Sequence, residues 1–383
     1  MYTIDEYVDD LCFERSASAA CPEAVTSDVI FFDIETTGLS ASTSGLYLIG
    51  CMFTEGSRTV LRQFFADDLA DEENALNAFA DLLSAKNHIV HFNGSTFDIP
   101  YLKTKYMQHG LTDPFDGKTG HDLYRNLMPL KRLYSLGSMK QKALEELCGI
   151  YREDRYTGGE LISVYKIYQR EILLCRAIGK DETETVREMR KTLLLHNNED
   201  IKGMLPVAEL MGVLSFVSGD FEVLEPYDEG GCVRVGVVPR ATFPEHLIGR
   251  RGPFKMLKRE RDGSLVVKVP LVKDSLKLFM NDFRDHYYIP SKDMAIHASV
   301  AGFLDKKDRK KATPATCYVH CEGCFFTVFE EDIPEGLPLI KREYTEKTAF
   351  VREEDLCPQV LKAAVLYRLK SCIRSASQES SDS

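Results

Sequence analysis

The hydrophobic pattern divides the chain into two parts. In the first part, short apolar runs near 28–35, 46–53, 59–65 and 88–93 are typical of buried strands. Longer stretches with helical periodicity separate and follow these runs, and Pro206 is expected to interrupt the last of them. The predicted helices lie near 71–85, 97–109, 122–128, 138–149 and 159–175, and from Asp181 to Val213.

Beyond about residue 214 the pattern changes to alternating apolar and polar positions, which indicates strands. A closing helix with proline in its first turn is predicted from Pro358 to Ile373. The segment from Cys317 to Phe329 is expected to form a hairpin that turns at Glu322-Gly323. The other predicted strands are Leu214–Val223, Cys232–Pro239, Leu265–Val272 and Leu276–Phe283.

These elements predict an α/β protein in which a mixed sheet is flanked by helices and followed by a mostly β accessory domain of unknown role. The predicted division of the chain is an N-terminal helix and linker over 1–24, an α/β domain over 25–213, the β domain over 214–376 and a disordered tail over 377–383.

Composition indicates what class of protein this is and in which compartment it is expected. The 383 residues are 44% hydrophobic and 28% charged, which is ordinary for a soluble protein of two domains. The first residues lack the basic and apolar regions of a signal peptide, and uninterrupted apolar runs stay shorter than 18 residues. We therefore expect a cytoplasmic protein that is not embedded in a membrane.

Two acidic residues interrupt the first buried strand. Asp33 and Glu35 are two residues apart, so their side chains point to the same face of the strand. Two carboxylates on one face of an apolar strand repel each other unless a cation, a proton or a base neutralises them. A divalent metal ion is the simplest such partner.

Further acids follow in order along the chain. Asp98 comes after the strand near 88–93, at the start of a helix that Ser95 or Thr96 can cap. His196 and Asp200 are four residues apart late in a predicted helix, so they share a face.

These residues resemble the motifs of the DEDD superfamily of 3′-to-5′ exonucleases, whose fold is ribonuclease H-like. Within that superfamily the chain looks most like the YprB-type ribonuclease H-like family, over roughly residues 25 to 215. The first motif is the most specific, and the order and spacing of the others agree with it. The matching residues are Asp33-Ile34-Glu35-Thr36-Thr37-Gly38-Leu39, then Asn93 to Asp98, Gly158-Gly159-Glu160 with Tyr165 and Tyr168, and His196-Asn197 ahead of Asp200.

The resemblance implies a metal-dependent exonuclease that hydrolyses nucleic acid with two Mg²⁺ or Mn²⁺ ions about 3.5–4 Å apart. It implies that His196 orients or deprotonates the attacking water. Asn93, Thr36 and Leu39 are weaker candidates, either for contacts that support the metal ligands or for contacts to the terminal nucleotide. The implied metal ligands are Asp33 as the bridging residue, Glu35 and Asp200 on one ion, and Asp98 on the other mainly through water.

The third motif departs from the family pattern. In the histidine branch of the superfamily the histidine usually precedes the last aspartate by five residues, and in the tyrosine branch a tyrosine precedes it by four. Here a histidine, His196, has the four-residue spacing. The acidic ligands are therefore a firmer inference than the general base.

Each of the candidate site residues, taken alone, also has an ordinary structural explanation. Asp33 and Glu35 are also typical of a solvated pair, Asp98 of an acid in the first turn of a helix, and His196 with Asp200 of an exposed helical pair. A catalytically inactive, nucleic-acid-binding or scaffolding protein with the ribonuclease H-like fold is the alternative function. Asp122 has two possible roles, as an acid near the site or as the N-cap of the next helix.

The cysteines and the basic residues leave further alternatives open. Eleven scattered cysteines indicate mostly buried thiols, although Cys317, Cys321, Cys324 and His320 have spacings that a metal could use.

The net charge is −11, with 22 basic against 32 acidic residues in 1–205 and 26 against 27 in 206–383. Tyr287 and Tyr288 and two basic clusters are candidates for nucleic-acid contacts or for ordinary core and surface positions. The clusters are Arg250, Arg251, Lys255, Lys258, Arg259 and Arg261, and Lys306, Lys307, Arg309, Lys310 and Lys311.

Overall fold

The computed structural model describes residues 1–228, 230–250, 254–255, 257–260 and 265–379. The chain forms two compact units. The first comprises residues 1–132, 136–214 and 241–246, and the second comprises 133–135, 215–240 and 247–383.

The first unit is built on a six-stranded mixed sheet with the order β1-β4-β3-β2-β5-β6. Neighbouring strands from β1 to β2 pair antiparallel, whereas β2, β5 and β6 run parallel. The strands are β1 (Tyr2–Val8), β2 (Val29–Thr36), β3 (Leu46–Glu55), β4 (Arg58–Phe65), β5 (His88–His91) and β6 (Thr119–Asp122).

Helices cover both faces of this sheet. On one face, β2 and β3 pack against α2 and α3 through a core that includes Phe32 and Phe79. On the other face, α7 and α8 pack through Tyr165, Tyr168 and Leu193. The helices are α1 (Asp10–Ala20), α2 (Glu72–Leu83), α3 (Asp98–Gln108), α4 (Leu123–Leu127), α5 (Pro129–Leu133), α6 (Gln141–Leu147), α7 (Gly158–Ala177), α8 (Glu184–Glu209) and α9 (Met211–Ser218).

The N-terminal segment differs from the predicted helix and linker over 1–24. Residues 2–8 form the edge strand β1, which pairs with β4 from Tyr2↔Phe65 to Val8↔Thr59, and only α1 is helical. Most side chains of β1 are exposed on both faces, so the strand has no apolar alternation to reveal it.

The end of the first unit also differs from the prediction. Pro206 lies inside α8, which continues to Glu209. Residues 211–218 then form α9, so only Phe221–Val223 of the predicted strand Leu214–Val223 is extended. Burial of Leu205, Val207 and Ala208 supplies packing energy that offsets the hydrogen bond that proline cannot donate.

The helical segment Glu184–Ser218 is long and apolar enough by composition to cross a membrane, and 56% of its most apolar window is buried inside the protein. A buried helix of this composition is typical of a protein core.

The second unit is rich in strands. One sheet has the order β10-β11-β9-β7 with β8 beside β9, a closed barrel has the order β12-β16-β18-β17, and a small sheet has the order β14-β13-β15. The strands are β7 (Phe221–Val223), β8 (Tyr227–Asp228), β9 (Cys232–Pro239), β10 (Leu257–Arg259), β11 (Leu265–Pro270), β12 (Val272–Phe279), β13 (His286–Ile289), β14 (Met294–His297), β15 (Lys310–Lys311), β16 (Tyr318–Phe329), β17 (Leu339–Lys341) and β18 (Thr348–Arg352), and the helices are α10 (Ala298–Ala301) and α11 (Pro358–Glu379).

Two details of the second unit correct the sequence predictions. The hairpin expected at Glu322-Gly323 is instead the continuous strand β16, which pairs with β12 from Val272↔Phe325 to Phe279↔Tyr318. Residues 377–379 of the predicted disordered tail belong to α11, and residues 380–383 lie outside the described residues.

Candidate active site

Two carboxylates share one face of β2. Ile30, Phe32 and Ile34 point into the core formed with α2 and α3, so Asp33 and Glu35 point to the opposite side of the sheet. Helix α8 contacts β2 and β3 and covers that side. The pairing of β2 with β3 shifts register directly after Glu35, and such bulges redirect side chains near strand ends.

Asp98 is the first residue of α3 and is 7% exposed. The loop before it begins at Asn93, whose φ of 61° lies in the left-handed region that asparagine tolerates better than most residues. Phe97 occupies the N-cap position, and the Thr96 hydroxyl donates to the Asn93 carbonyl at 2.9 Å. The prediction that Ser95 or Thr96 caps the helix is therefore wrong, because Thr96 closes the loop instead.

Helix α8 brings three polar side chains to the two acids of β2. His196 Nε2 lies 3.2 Å from Asp200 Oδ2 and 3.6 Å from Glu35 Oε1. Asn197 Nδ2 donates to Asp33 Oδ2 at 3.1 Å. The potential ligand atoms of Glu35, His196 and Asp200 all lie within 4.8 Å of one another.

Asn197 is held in place by a hydrogen bond from Gln63 and by close packing against Gly50. Gln63 donates to Asn197 Oδ1 and to the Leu194 carbonyl, each at 2.9 Å. A Cβ atom at Gly50 would lie 2.0 Å from Asn197 Oδ1, so the amide fits only above a glycine. The orientation of Asp33 therefore depends on a buried network that spans β3, β4 and α8.

The loop between α6 and α7 supplies two side chains that sequence reasoning missed. Asp154 Oδ2 lies 2.7 Å from His196 Nδ1. Arg152 Nη1 lies 2.7 Å from Asp200 Oδ1, and the same guanidinium pairs with both carboxylate oxygens of Glu145. The loop has no hydrophobic periodicity, so its dense run of charges is the only sequence signal that marks it.

The acidic side chains raise one another's pKa. Burial raises the pKa of Asp33 well above its usual range, and repulsion from the other three carboxylates adds to the effect. Burial and repulsion likewise raise the pKa of Glu35 well above its usual range, against a hydrogen bond from Tyr47 at 3.5 Å. Burial raises the pKa of Asp98 to about 7, with a further contribution from Asp200. These carboxylates therefore lie close enough to disfavour their own ionised forms.

This donor set fits Mg²⁺ or Mn²⁺. Both ions prefer hard oxygen ligands, and a bound cation would relieve the repulsion that raises these pKa values. Arg152 engages Asp200 Oδ1, so Asp200 Oδ2 is the oxygen that faces His196.

The three candidate substrate-binding residues lie where the neighbouring strands β2 and β5 end. Thr36 is the last residue of β2, Leu39 follows that strand, and Asn93 follows the carboxyl end of the parallel neighbour β5. Thr36 is buried and bonded to a carbonyl of its turn at 2.9 Å, whereas Leu39 is 85% exposed. The Asn93 main-chain N–H donates to Asp122 Oδ1 at 3.0 Å.

Asp122 combines its two predicted roles. Its carboxylate caps α4 by accepting from the Arg125 main-chain N–H at 3.4 Å. Its charge also contributes to the raised pKa of Asp98, so it belongs to the electrostatic surroundings of the site.

Asp98→Asn is expected to stabilise the metal-free protein at pH 8 and not at pH 4. Because the folded-state pKa of Asp98 is raised to about 7, the folded protein loses stability as pH rises from about 4 through about 7. Removing this ionisation should recover up to about 4 kcal/mol at pH 8, because a shift of about three pKa units corresponds to roughly 1.4 kcal/mol per unit. Urea unfolding in a chelating buffer at the two pH values measures the difference.

The exposed residue Asp116 provides the control for this stability prediction. Asp116→Asn should leave the urea midpoint unchanged at both pH values. Equal stability of wild type and Asp98→Asn at pH 8 would contradict the electrostatic account of the acidic cluster.

In the second unit, the cysteines predicted as possible metal ligands do not converge among the described residues. Cys321 and Cys324 are three residues apart on one strand and therefore point to opposite faces. The Cys321 thiol donates to the Leu276 carbonyl at 3.5 Å, and His320 Nε2 lies 3.1 Å from Asp293 Oδ2.

The tyrosines proposed to stack on bases already have partners. Arg309 and Lys311 lie 5.1 Å and 4.7 Å from the centre of the Tyr287 ring. The Tyr288 hydroxyl donates to Asp293 at 2.6 Å. Arg251 and Arg261 of the first basic cluster lie outside the described residues.

Comparison with known proteins identifies the fold of the first unit. Residues 30–212 match the family model RNase_H_2 of the RNase_H superfamily. This segment runs from β2 through α8 and contains the whole acidic cluster. Together with the mixed sheet flanked by helices, the match confirms the predicted ribonuclease H-like fold, followed by a strand-rich region.

No curated protein sequence matches the chain. One solved structure that matches is the family B DNA polymerase from the hyperthermophilic archaeon Pyrobaculum calidifontis, at 15% identity and a TM-score of 0.35. The match covers 93% of this chain and 43% of the polymerase chain, so the protein spans less than half the length of that polymerase.

Proposed function

We propose that this ribonuclease H-like protein is a metal-dependent 3′-to-5′ exonuclease that hydrolyses phosphodiester bonds of nucleic acid, and that it belongs to the YprB-type branch of its superfamily. The observation that carries the proposal is the cluster of buried and half-buried, mutually repelling carboxylates beside an anchored histidine. A buried group of like charges is costly to folding, and such clusters are typical of sites that bind cations. The proposed metal ligands are Asp33, Glu35, Asp98 and Asp200.

Two divalent cations at these carboxylates would supply Lewis-acid stabilisation of the phosphate charge and a lowered pKa for the attacking water. Since the first half of the chain is acidic overall, basic side chains contribute little to that charge balance. Two basic side chains do lie near the site: Arg152 contacts Asp200 and fixes the direction of that carboxylate, and Lys142 Nζ lies 3.3 Å from Asp154 Oδ2.

The chain's own residues prepare the site for this chemistry. Asn197 orients Asp33 through a hydrogen bond to one oxygen, so that the second oxygen can bind a cation. Burial of Glu35, Asp98 and His196 limits access of bulk water, so electrostatic interactions there are stronger than at an exposed surface.

His196 is suited to hold and move a proton at Nε2. Its Nδ1 atom is fixed by Asp154, which sets the ring orientation and leaves Nε2 facing Glu35 and Asp200. Although burial raises the pKa of Asp154, hydrogen bonds from His196 and from the Tyr156 main chain lower it overall, so the carboxylate is ionised at neutral pH. An ionised Asp154 stabilises the imidazolium that forms when His196 accepts a proton.

Asp154→Asn is expected to reduce the cleavage rate about 10- to 100-fold, the usual effect of removing a partner that orients a histidine. The acidic limb of the pH–rate profile should also move to lower pH, because the imidazolium loses its stabilising carboxylate. Single-turnover cleavage across pH measures both effects.

Glu153→Gln is the matched control for this loop, because Glu153 is exposed beside Asp154. It should keep the wild-type rate and profile. A slower Asp154→Asn enzyme with an unshifted profile would indicate a merely structural role for Asp154.

Contacts to the terminal nucleotide are proposed for Thr36, Leu39 and Asn93. Leu39 is the strongest of these, since it follows the strand that carries Asp33 and Glu35, and its large apolar side chain is 85% exposed and available to pack on a base. The side chain of Asn93 is already bonded to the Thr96 hydroxyl at 3.0 Å, which favours a role in shaping the loop.

A panel of single- and double-stranded DNA and RNA tests the proposed function. Each linear substrate carries a label at the 5′ end or at the 3′ end, and circular forms of each strand serve as controls. With Mn²⁺ or Mg²⁺, 5′-labelled strands should shorten stepwise while 3′-labelled strands release labelled mononucleotide at once. Circular strands should stay intact.

Other outcomes of this panel would reject the proposal. Cleavage of circular strands would indicate endonucleolytic attack. Binding of substrates without cleavage under either metal would favour the alternative of a non-catalytic nucleic-acid-binding or scaffolding protein. The substrates that are cleaved identify the preferred sugar and strandedness.

A further inference from the structure

A second cluster of potential metal ligands lies in the first unit and shares no residue with the acidic site. It consists of Cys21, His88 and His121, whose ligand atoms all lie within 4.8 Å of one another. A carboxylate oxygen of Glu23 lies 3.9 Å from His88 Nδ1 and 3.8 Å from His121 Nε2. Four donors of three chemical types therefore surround one small volume.

The fold brings these residues together from three distant segments. Cys21 ends α1, where its main-chain N–H donates to the Ala17 carbonyl, and Glu23 lies in the turn that follows. His88 begins β5, and His121 lies in the parallel edge strand β6 opposite Val90. Because residues two apart on a strand share a face, both histidines point to the same side of the sheet.

The distances suit a tetrahedral site. Zinc binds nitrogen at about 2.0–2.1 Å and sulfur at about 2.3 Å, so two nitrogen ligands of one tetrahedral ion lie roughly 3.3 Å apart. His88 Nδ1 and His121 Nε2 are 3.0 Å apart, and a few tenths of an ångström of movement would admit the ion. The Glu23 carboxylate is 61% exposed and can approach as the fourth ligand.

The protonation of these groups is compatible with such an ion. Burial lowers the pKa of His121, so its ring is neutral at pH 7 and offers a lone pair. Burial, with the charge of Glu23, raises the pKa of Cys21 to about 12, so the thiol is protonated until a metal takes the place of its proton. One proton is released when the metal–sulfur bond forms.

We propose that Cys21, His88, His121 and Glu23 form a structural Zn²⁺ site that ties the end of α1 to the edge of the central sheet. Nitrogen and sulfur ligands select zinc over Mg²⁺, which prefers oxygen. The proposed ligands of the acidic site are all carboxylates, which suit Mg²⁺ or Mn²⁺. Without zinc, the two imidazoles are joined by the hydrogen bond that their 3.0 Å separation allows.

X-ray absorption at the zinc edge tests the ligand set directly on the full-length wild-type protein loaded with one equivalent of zinc. We expect one sulfur neighbour at about 2.3 Å and the remaining neighbours as nitrogen or oxygen near about 2.0–2.1 Å. Zinc coordinated by nitrogen and oxygen alone, or a protein that retains no zinc after gel filtration, would overturn the proposal.

Cobalt substitution locates the sulfur ligand. Co²⁺ in the wild-type protein should give a thiolate-to-metal charge-transfer band, and Cys21→Ser should abolish it. Cys51→Ser is the matched control, because Cys51 is a buried thiol of β3 that bonds to the Arg62 carbonyl. The band should persist there, and its persistence in Cys21→Ser would contradict the assignment.

Affinity provides an independent readout if Cys21→Ser folds poorly. His88→Gln should bind zinc at least about 10-fold more weakly than wild type, because losing a ligand should cost at least as much as losing a residue that orients one. Zinc should raise the thermal midpoint of wild type, and the rise should shrink in this variant. Equal zinc affinity of the two proteins would contradict the site.

Discussion

Asp33→Asn is expected to reduce metal-dependent cleavage by roughly 10³-fold or more, because several kcal/mol of cation-mediated charge stabilisation would be lost at about tenfold per 1.4 kcal/mol. Asp33 lies at the centre of the acidic cluster. Its pKa is raised by burial and by repulsion from Asp200, Asp98 and Glu35. Single-turnover cleavage of a labelled strand at saturating Mn²⁺ measures the loss.

Asp116→Asn, which changes the same side chain at an exposed position, should retain the wild-type rate. Circular dichroism of both variants separates a lost site from a lost fold. The Asn197 amide, which donates to Asp33 in the wild type, can donate equally to the amide oxygen of the Asp33→Asn variant, so this variant is expected to fold. An Asp33→Asn protein that cleaves within tenfold of wild type would contradict the assignment of the site.

His196→Ala is expected to reduce the cleavage rate about 10²- to 10⁴-fold, the usual contribution of a positioned general base. Free imidazole should restore part of this activity, because the deletion leaves a space bounded by Asp154, Glu35 and Asp200. Single-turnover rates with and without imidazole, compared at equal Mn²⁺, test the role.

The dependence on Mn²⁺ separates a base from a ligand at this position. A histidine that moves a proton can be removed with little change in the Mn²⁺ concentration needed for half-maximal rate. A large rise in that concentration, with no rescue by imidazole, would instead identify His196 as a metal ligand.

Much of the first unit could be predicted from local patterns. The run from Val29 to Glu35 indicates a buried strand because its apolar residues have few alternatives in a soluble protein. The spacing of His196 and Asp200 indicates a shared helical face without any knowledge of the tertiary structure. Motifs whose residues lie on one element are therefore accessible from sequence.

Elements that depend on long-range pairing were harder to predict. β1 has no fully buried residue and is a strand because β4 offers it a free edge. Glu322-Gly323 resembles a turn, but pairing with β12 and with β18 keeps β16 extended. In both cases tertiary pairing overrides the local propensity.

The surroundings of the site were equally hidden from the sequence. Asp154 and Arg152 reach the site from a loop whose path depends on where α6 and α7 pack. Cys21 approaches His88 and His121 only because β5 and β6 pair in parallel beside the end of α1. Contacts between separate segments are fixed by the fold, and a single sequence carries no direct record of them.

Anomalous diffraction from crystals grown with Mn²⁺ tests the central claim most directly. The account predicts two manganese peaks within ligand distance of the carboxylates of Asp33, Glu35, Asp98 and Asp200, and loss of both peaks in Asp33→Asn crystals. Ordered crystals of wild type at saturating Mn²⁺ that show no manganese peak at these carboxylates would contradict it.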